Sequence, residues 1–280
     1  MRPERRATAG IRPTYGRSVI HVADSVTQLG PECRGTVLVA GSHGGIYAAY
    51  LAARAGVRGV VLSDAGVGLD HAGTSGIAYL DSNATAAATV DYRTARIGDG
   101  RDLFARGKIS FVNAVAGTLG CAPGQSARVC AELMMALPAP AQEPPAYDEA
   151  RFLIRDEPGA PKIVGVDSVS LVLPEDATSI VVTGSHGGLL GGNPQTTLRG
   201  DALALVFNDA GIGIDDAGVS RLGPLAARGI AAVAVDAHSA HIGEARSTWA
   251  TGRISRVNAV AHSHGARPGM TVPEFAALFS

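Results

Sequence analysis

The sequence predicts an α/β protein made of two tandem homologous halves, each a Rossmann-like domain with a mostly parallel sheet. The pentapeptide Gly-Ser-His-Gly-Gly occurs twice, at 41–45 and at 184–188, and each copy follows a short apolar run. An Asp-Ala-Gly-x-Gly stretch follows each pentapeptide, at 64–68 and at 209–213. Between these landmarks, apolar runs alternate with segments of helical pattern, which is typical of parallel strands covered by helices on both faces.

The two halves match in one register over most of the chain. Matching residues lie 143 positions apart up to the first pentapeptide, and 145 positions apart after a two-residue insertion in the second copy. The segment Val-Asn-Ala-Val-Ala at 112–116, for example, returns at 257–261. Such a repeat predicts the duplication and fusion of an ancestral homodimer subunit, with the halves related by a pseudo-twofold axis.

The boundary between the halves is marked by composition. The segment 137–150 has few apolar residues and contains Pro138, Pro140, Pro144 and Pro145, which is typical of a linker. We therefore expect a first α/β repeat at 1–136, a proline-rich linker at 137–150 and a second α/β repeat at 151–280.

The elements follow from periodicity and from glycine and proline positions. A hairpin with strands at 152–155 and 163–173 opens the second half, around a Pro-Gly turn. The apolar run before each pentapeptide is a buried strand. After the first pentapeptide we expect a helix at 46–55, ended by a glycine. The other predicted elements are strands at 57–62, 85–90, 202–207 and 230–235, a helix at 217–228, and final helices at 107–119 and 252–262.

The second pentapeptide is followed by a different segment. Residues 189–194 contain Gly-Gly and Pro, which disfavour a helix. We expect a lid or entry loop there, extending to about residue 197.

Composition restricts the class of protein. The chain has 280 residues, is 46% hydrophobic and has a net charge of −1, so it predicts neither a nucleic-acid partner nor an anionic membrane partner. No apolar run follows the basic start at 1–6, and the three cysteines form no Cys-x-x-Cys pair. These features favour a cytoplasmic protein, and the bias toward Arg, Ala and Gly is typical of bacterial coding.

The pentapeptides are the main candidate site, since ligands of parallel sheets bind beyond the carboxyl ends of strands. Their glycines would let backbone N–H groups hold an anion or oxyanion. The pattern is neither a P-loop, nor a nicotinamide-type Gly-x-Gly-x-x-Gly, nor a Gly-x-Ser-x-Gly elbow. A tight turn in which the histidine caps the backbone is the alternative interpretation. The predicted glycines are Gly41, Gly44, Gly45, Gly184, Gly187 and Gly188.

Acidic residues at the next strand ends complete this hypothesis. Asp64 and Asp209 would orient His43 and His186 or act as bases, or would only accept bonds from their own turns. Ser42 and Ser185 are possible nucleophiles.

A third loop differs between the halves. The first half has Arg93 and Arg96, which would hold a carboxylate or phosphate. The second half has His238 and His241 at the matching places, which could bind a metal together with His186 and Asp209. Solvent-exposed polarity is the alternative. Asn113 and Asn258, three residues after Ser110 and Ser255 on a predicted helix face, would line a cleft or bond the helix to a neighbouring loop.

The favoured function is that of a hydrolase acting on a C–N bond of a small, anionic carbonyl compound, with His43 or His186 as base. The alternatives are a metal-dependent lyase, isomerase or hydrolase and a non-catalytic binding protein for a small anion or nucleotide. We expect no cofactor or a divalent metal. Neither Lys108 nor Lys162 is matched by a lysine in the other half, which disfavours pyridoxal phosphate. The expected partner is a small-molecule substrate, without nucleic acid or membrane, and the pseudo-dimer could assemble further into a homo-oligomer.

Overall fold

A computed structural model describes residues 19–140, 143–198 and 200–279. The predictions for 1–18, including the basic start, and for linker residues 141–142 lie outside the described residues. The described chain is an α/β protein with two mixed, mostly parallel sheets, one of five strands and one of six. Within those ranges, every helix is too short or too polar to cross a membrane.

The first sheet has its strands in chain order, β1 to β4 parallel and β5 antiparallel at the edge. Alternate residues of β2 point to opposite faces. Leu38 and Ala40 pack under α1, whereas Val37 and Val39 pack under α3 and α5. The elements are β1 Ile20–Ala23, β2 Val37–His43, α1 Ile46–Arg54, β3 Gly59–Ser63, α2 Gly76–Ser82, β4 Ala86–Val90, α3 Gly100–Arg106, β5 Ile109–Val112, α4 Ala114–Thr118 and α5 Ala127–Met134.

The second sheet has the order β11-β10-β9-β8-β7-β6. Its first two strands form the predicted hairpin, although β7 ends at Val166. The positions that match β6 in the first half lie outside the described residues. The elements are β6 Arg151–Arg155, β7 Ile163–Val166, β8 Ile180–His186, β9 Ala204–Asn208, α6 Leu222–Ala227, β10 Ala231–Val235, α7 Ala245–Thr251, β11 Ile254–Val257, α8 Ala259–Ser263 and α9 Val272–Ala277.

Neither sheet has a Rossmann-like strand order. The parallel strands follow one another without reversal, so the crevice that a reversal of strand order creates is missing from both described sheets. The ligand site must therefore come from another feature of the fold.

Two predicted helices were wrong. The segments 107–119 and 252–262 begin with the antiparallel edge strands β5 and β11. Their helices start only after an asparagine, because Asn113 Oδ1 accepts the N–H of Ala116 and Asn258 Oδ1 accepts that of Ala261. The helix after the first pentapeptide is confirmed as α1. After the second pentapeptide the chain forms short 3₁₀ turns at 190–192 and 194–196.

The carboxyl ends of the two sheets face each other. The Asp-Ala-Gly-x-Gly turns meet at their glycines, where a Cβ on Gly66 would lie 2.7 Å from the Cα of Gly211. Two reciprocal bonds flank this contact: Leu69 N–H donates to Ala237 O at 2.9 Å, and Ile214 N–H donates to Tyr92 O at 3.1 Å. An apolar cluster between the sheets consists of Ala65, Ala72, Ile97, Ala210, Ala217 and Ile242.

Candidate functional site

A cavity of about 270 Å³ lies between the two sheets. Both pentapeptides line it, through His43 at the end of β2 and His186 at the end of β8. The segment after the second pentapeptide contributes Leu190, Gln195 and Thr196 to its wall. The predicted lid segment thus borders the cavity, while its role as a lid stays a prediction.

Each pentapeptide histidine accepts a hydrogen bond from its own turn. Gly45 N–H donates to His43 Nδ1 and Gly188 N–H donates to His186 Nδ1, both at 3.1 Å. A Cβ on Gly45 would lie 2.8 Å from that Nδ1, so glycine permits the approach. A backbone N–H can only donate, so in the neutral ring the proton is on Nε2.

Both imidazoles are neutral at pH 7. Burial lowers the pKa of His43 to about 4. The pKa of His186 is also lowered, by burial first and then by electrostatic interaction with Arg221 and His43. Among the described residues, neither Nε2 has a hydrogen-bond partner. Both residues line the cavity, so their Nε2–H groups are available to donate to a ligand.

The histidines also reach across to the opposite half. A Cβ on Gly243 would lie 3.4 Å from His43 Cε1, and one on Gly98 would lie 3.6 Å from His186 Cε1. These third-loop glycines donate to Gly184 O and Gly41 O, respectively, at 2.7 Å. Each imidazole consequently lies close to the backbone of the opposite half.

The predicted backbone cradle is not available to a ligand. Gly44 N–H donates to Ser63 O at 2.7 Å, and Gly187 N–H donates to Asn208 O at 2.9 Å. The N–H groups of Gly45 and Gly188 are bonded to the histidines, as described above. The turn that caps the backbone, which was the alternative interpretation, is what the pentapeptide forms, and donors to a ligand come from the imidazoles instead.

Asp64 and Asp209 accept hydrogen bonds from the backbone of their own turns. Asp209 Oδ1 accepts N–H groups of Gly211 and Ala237 at 2.9 and 3.0 Å, and its Oδ2 accepts from Ser255 Oγ at 2.7 Å. Asp64 Oδ1 has the matching bonds from Gly66 and Tyr92, at 3.2 and 3.0 Å. Among the described contacts, none joins either aspartate to an imidazole, so the expected His–Asp pair is not formed. Burial raises the pKa of Asp64 to about 6 and also raises that of Asp209.

The serines of the pentapeptides border the cavity but have structural bonds. Ser42 Oγ accepts the N–H of Val26 at 3.0 Å, and Ser185 Oγ accepts that of Val169 at 2.9 Å. Neither described hydroxyl is hydrogen-bonded to a histidine that would activate it as a nucleophile.

The third-loop arginines are occupied by carboxylates of the chain. Arg93 pairs with Asp91 at 2.7 Å, and Arg96 pairs with Asp102 at 3.5 Å and with Asp215 of the other half at 2.7 Å. Both lie outside the cavity lining. They are thus not placed to hold a ligand there.

The residues predicted as metal ligands are not brought together. His241 Nε2 lies 2.8 Å from Asp70 Oδ2, and its Nδ1 lies 3.3 Å from Glu244 Oε2. His238 is exposed. Within the described chain, the group with metal-ligand spacing is a different one, made of His21, Glu32 and Cys33.

The predicted site residues Asn113 and Asn258 have structural roles. Besides capping helices, Asn113 accepts the N–H of Ala87 in β4, and Asn258 accepts that of Ala232 in β10.

Sequence reasoning missed a carboxylate in the cavity wall. Glu149, in the proline-rich linker, lies beside the hydroxyl groups of Tyr47 and Ser168. Burial raises its pKa to about 7, although the two hydroxyls act in the opposite direction. Such a carboxyl is suited to accept and return a proton near neutral pH. Nothing in the composition of the linker indicated it.

Sequence reasoning also missed Arg221, which lies in the wall beside His186. Its side chain is buried, with Nε donating to Gly188 O and Nη1 donating to Thr197 O, both at 2.7 Å. The position 145 residues earlier is Gly76. That break in the repeat is the signal that could have identified it.

Comparisons with protein-family models, curated proteins and solved structures gave no match for this chain.

Proposed function

We propose that the chain is an enzyme that hydrolyses a C–N bond of a small carbonyl compound bound in the cavity between the sheets. One observation supports this most directly. Two neutral imidazoles, whose Nε2–H groups have no hydrogen-bond partner among the described residues, line the same cavity as Glu149, a carboxyl whose pKa is about 7. Donors for an oxyanion and a nearby proton acceptor are what amide hydrolysis requires.

The proposed mechanism assigns the proton transfers to Glu149. Its carboxylate takes a proton from water while the water oxygen attacks the amide carbon. The oxyanion that forms accepts the Nε2–H of His43. When the C–N bond breaks, Glu149 returns the proton to the leaving nitrogen, so the enzyme is restored. His43 is a hydrogen-bond donor in this scheme, not the base that the sequence suggested, because its Nδ1 is bonded to Gly45.

We also propose that the two halves are tandem homologous domains descended from a fused homodimer. The reciprocal bonds of Leu69 with Ala237 and of Ile214 with Tyr92 support this, since the paired positions are 145 residues apart. The apolar cluster between the sheets has the same spacing. If the chain descends from a fused homodimer, the cavity lies at the former subunit interface.

The test is release of ammonia or amine from a panel of small amides. Glu149→Gln should lower kcat/KM by about 10²–10⁴-fold, as removal of a general base does. His43→Gln should lower it by about 10²–10³-fold. Glu143→Gln is the matched control, because Glu143 is an exposed carboxylate of the same linker. Full activity of Glu149→Gln would overturn the mechanism. Amides that bind and are recovered unchanged would favour a binding protein.

A further inference from the structure

We propose that Arg221 and His186 form a binding site for one carboxylate group of the substrate. This inference rests on the proposed function and extends it, since it defines the substrate class as amides that carry a single carboxylate. It concerns the end of the cavity that belongs to the second half.

Arg221 is buried without a counter-ion among the described residues. Its relative exposure is 3%, and its bonds go to neutral carbonyl oxygens. Among the described residues, its Nη2 has no hydrogen-bond partner and no carboxylate pairs with the group. Burial lowers its pKa to about 10, so it remains charged at pH 7. A buried, unpaired charge is unfavourable, and an anionic ligand would relieve that cost.

The charge of the cavity wall favours a ligand with one negative charge. Asp167 and Glu149 also line the cavity, but neither forms an ion pair with Arg221. Asp167 accepts the N–H groups of Ala150 and Ala245 at 2.8 and 2.9 Å, and Glu149 lies beside the hydroxyl groups of Tyr47 and Ser168. The imidazoles are neutral. One guanidinium is therefore available to one negative charge, which fits a carboxylate better than a phosphate dianion. The Nη2–H of Arg221 and the Nε2–H of His186 supply donors for two carboxylate oxygens.

The two ends of the cavity differ in charge. Gly76 occupies the position that matches Arg221 in the first half. His43 has no charged neighbour that shifts its pKa, whereas the charge of Arg221 lowers that of His186. A substrate carboxylate at the Arg221 end would direct the amide toward His43. The arrangement thus orients a ligand within a cavity whose two pentapeptides are the same.

The experiment uses oxamate, a small amide with one carboxylate, in titration calorimetry with the whole protein. Wild type should bind oxamate, and Arg221→Gln should bind it at least 30-fold more weakly, which is about 2 kcal/mol. Arg58→Gln is the matched control, because Arg58 also bonds backbone carbonyls, of Gly35, Met135 and Leu137, but lies outside the cavity lining. This control should bind oxamate like wild type.

A second measurement covers the case in which Arg221→Gln does not fold. In wild type, oxamate should shift the side-chain ¹⁵N resonances of Arg221 while those of Arg58 stay in place. Unchanged Arg221 resonances under saturating oxamate, equal affinity of Arg221→Gln, or tighter binding of inorganic phosphate than of oxamate would overturn the inference.

The two proposals can fail separately. Oxamate binding that depends on Arg221, in a protein that hydrolyses none of the amides, would refute the hydrolase and support the carboxylate site. Hydrolysis of oxamate with an unchanged KM in Arg221→Gln would support the hydrolase and refute the carboxylate site.

Discussion

Each pentapeptide histidine uses its two ring nitrogens differently. Nδ1 accepts the N–H of a glycine two residues later, which fixes the ring to the turn. Nε2 is left for the cavity. The same residue is thereby both a structural cap and a candidate ligand donor, so the two interpretations that the sequence offered are compatible.

The tautomer of these rings can be tested directly. Long-range ¹H–¹⁵N NMR should show His43 and His186 as neutral Nε2–H tautomers from pH 5.5 to 8, because Nδ1 accepts a backbone N–H. His43 should become protonated only near pH 4, its lowered pKa. A protonated Nδ1 in the neutral ring, or a His43 midpoint close to 6.5, would contradict the assignment of these groups as donors.

Substitutions of Asp209 can separate a structural role of this carboxylate from a role in ligand binding. Asp209→Ala would leave the buried N–H group of Ala237 and the partly buried N–H group of Gly211 without an acceptor, so we expect the free energy of unfolding to fall by about 2 kcal/mol. Denaturant titration measures this. Oxamate affinity should change less than twofold, since Asp209 lies outside the cavity lining.

Asp209→Asn is the control for that experiment. Its amide oxygen can accept the same N–H groups, and Ser255 Oγ can donate to Ala234 O, which lies at 3.2 Å. Stability should therefore stay near that of wild type. A large loss of oxamate binding at unchanged stability would instead assign the carboxylate to the ligand site.

At the scale of elements, sequence periodicity predicted the buried strands and α1 but not the ends of each half. β8 begins with three apolar residues and β9 with four, and these residues are buried on both faces of the sheet, a pattern typical of a parallel strand. The segment 109–118 holds a four-residue strand and a five-residue helix. Elements so short contain too few residues to show a helical or strand period, so the sequence predicts one continuous helix. The asparagine that this prediction places on a helix face instead caps the helix that follows the strand.

Equivalent loops connect the halves by ion pairs of different chemistry. Arg96 pairs with Asp215, and at the matching positions His241 pairs with Asp70. Asp70, and then Glu244, raises the pKa of His241. The stability from this pair is therefore complete below pH 6.5 and is lost as pH rises through the raised pKa.

His241→Arg should remove the loss of stability that occurs as pH rises through the pKa of His241. An arginine stays charged, as Arg96 does, so the variant should gain up to about 0.5 kcal/mol over wild type at pH 8 and little at pH 6, a size typical of exposed pairs. Denaturant titration at both pH values measures the difference between the proteins. Because Glu149 also titrates in this range, only that difference is diagnostic. An equal difference at pH 6 and pH 8 would contradict the assignment.

At the scale of the molecule, the sequence indicated the rim where the candidate site lies but not all of the groups that line its cavity. The pentapeptides could be located because they repeat. Arg221 and Glu149 come from a helix start and a linker, and only tertiary packing brings them to the same cavity. The order of the sheets and the contact between their carboxyl ends are likewise long-range features that no local pattern encodes.

The contact between the carboxyl ends of the two sheets can be tested where the turns 64–68 and 209–213 meet. Gly66 has φ +78°, and a Cβ there would lie 2.7 Å from Gly211 Cα, a backbone atom that cannot move aside easily. Gly124 has φ +87°, and a Cβ there would meet nothing within 4 Å. Both alanine variants bear the left-handed strain of about 1 kcal/mol, so their difference isolates the contact between the sheets.

We expect Gly66→Ala to be less stable than Gly124→Ala by about 1–3 kcal/mol, the usual cost of overpacking. Gly66→Ala should also weaken oxamate binding, because separating the turns moves His43 away from Gly243 and widens the cavity between the halves. Denaturant titration and calorimetry on both variants provide the comparison. If the two variants matched in stability and in oxamate affinity, the cavity would not depend on the contact between the sheets, and its origin as a former subunit interface would lose its physical basis.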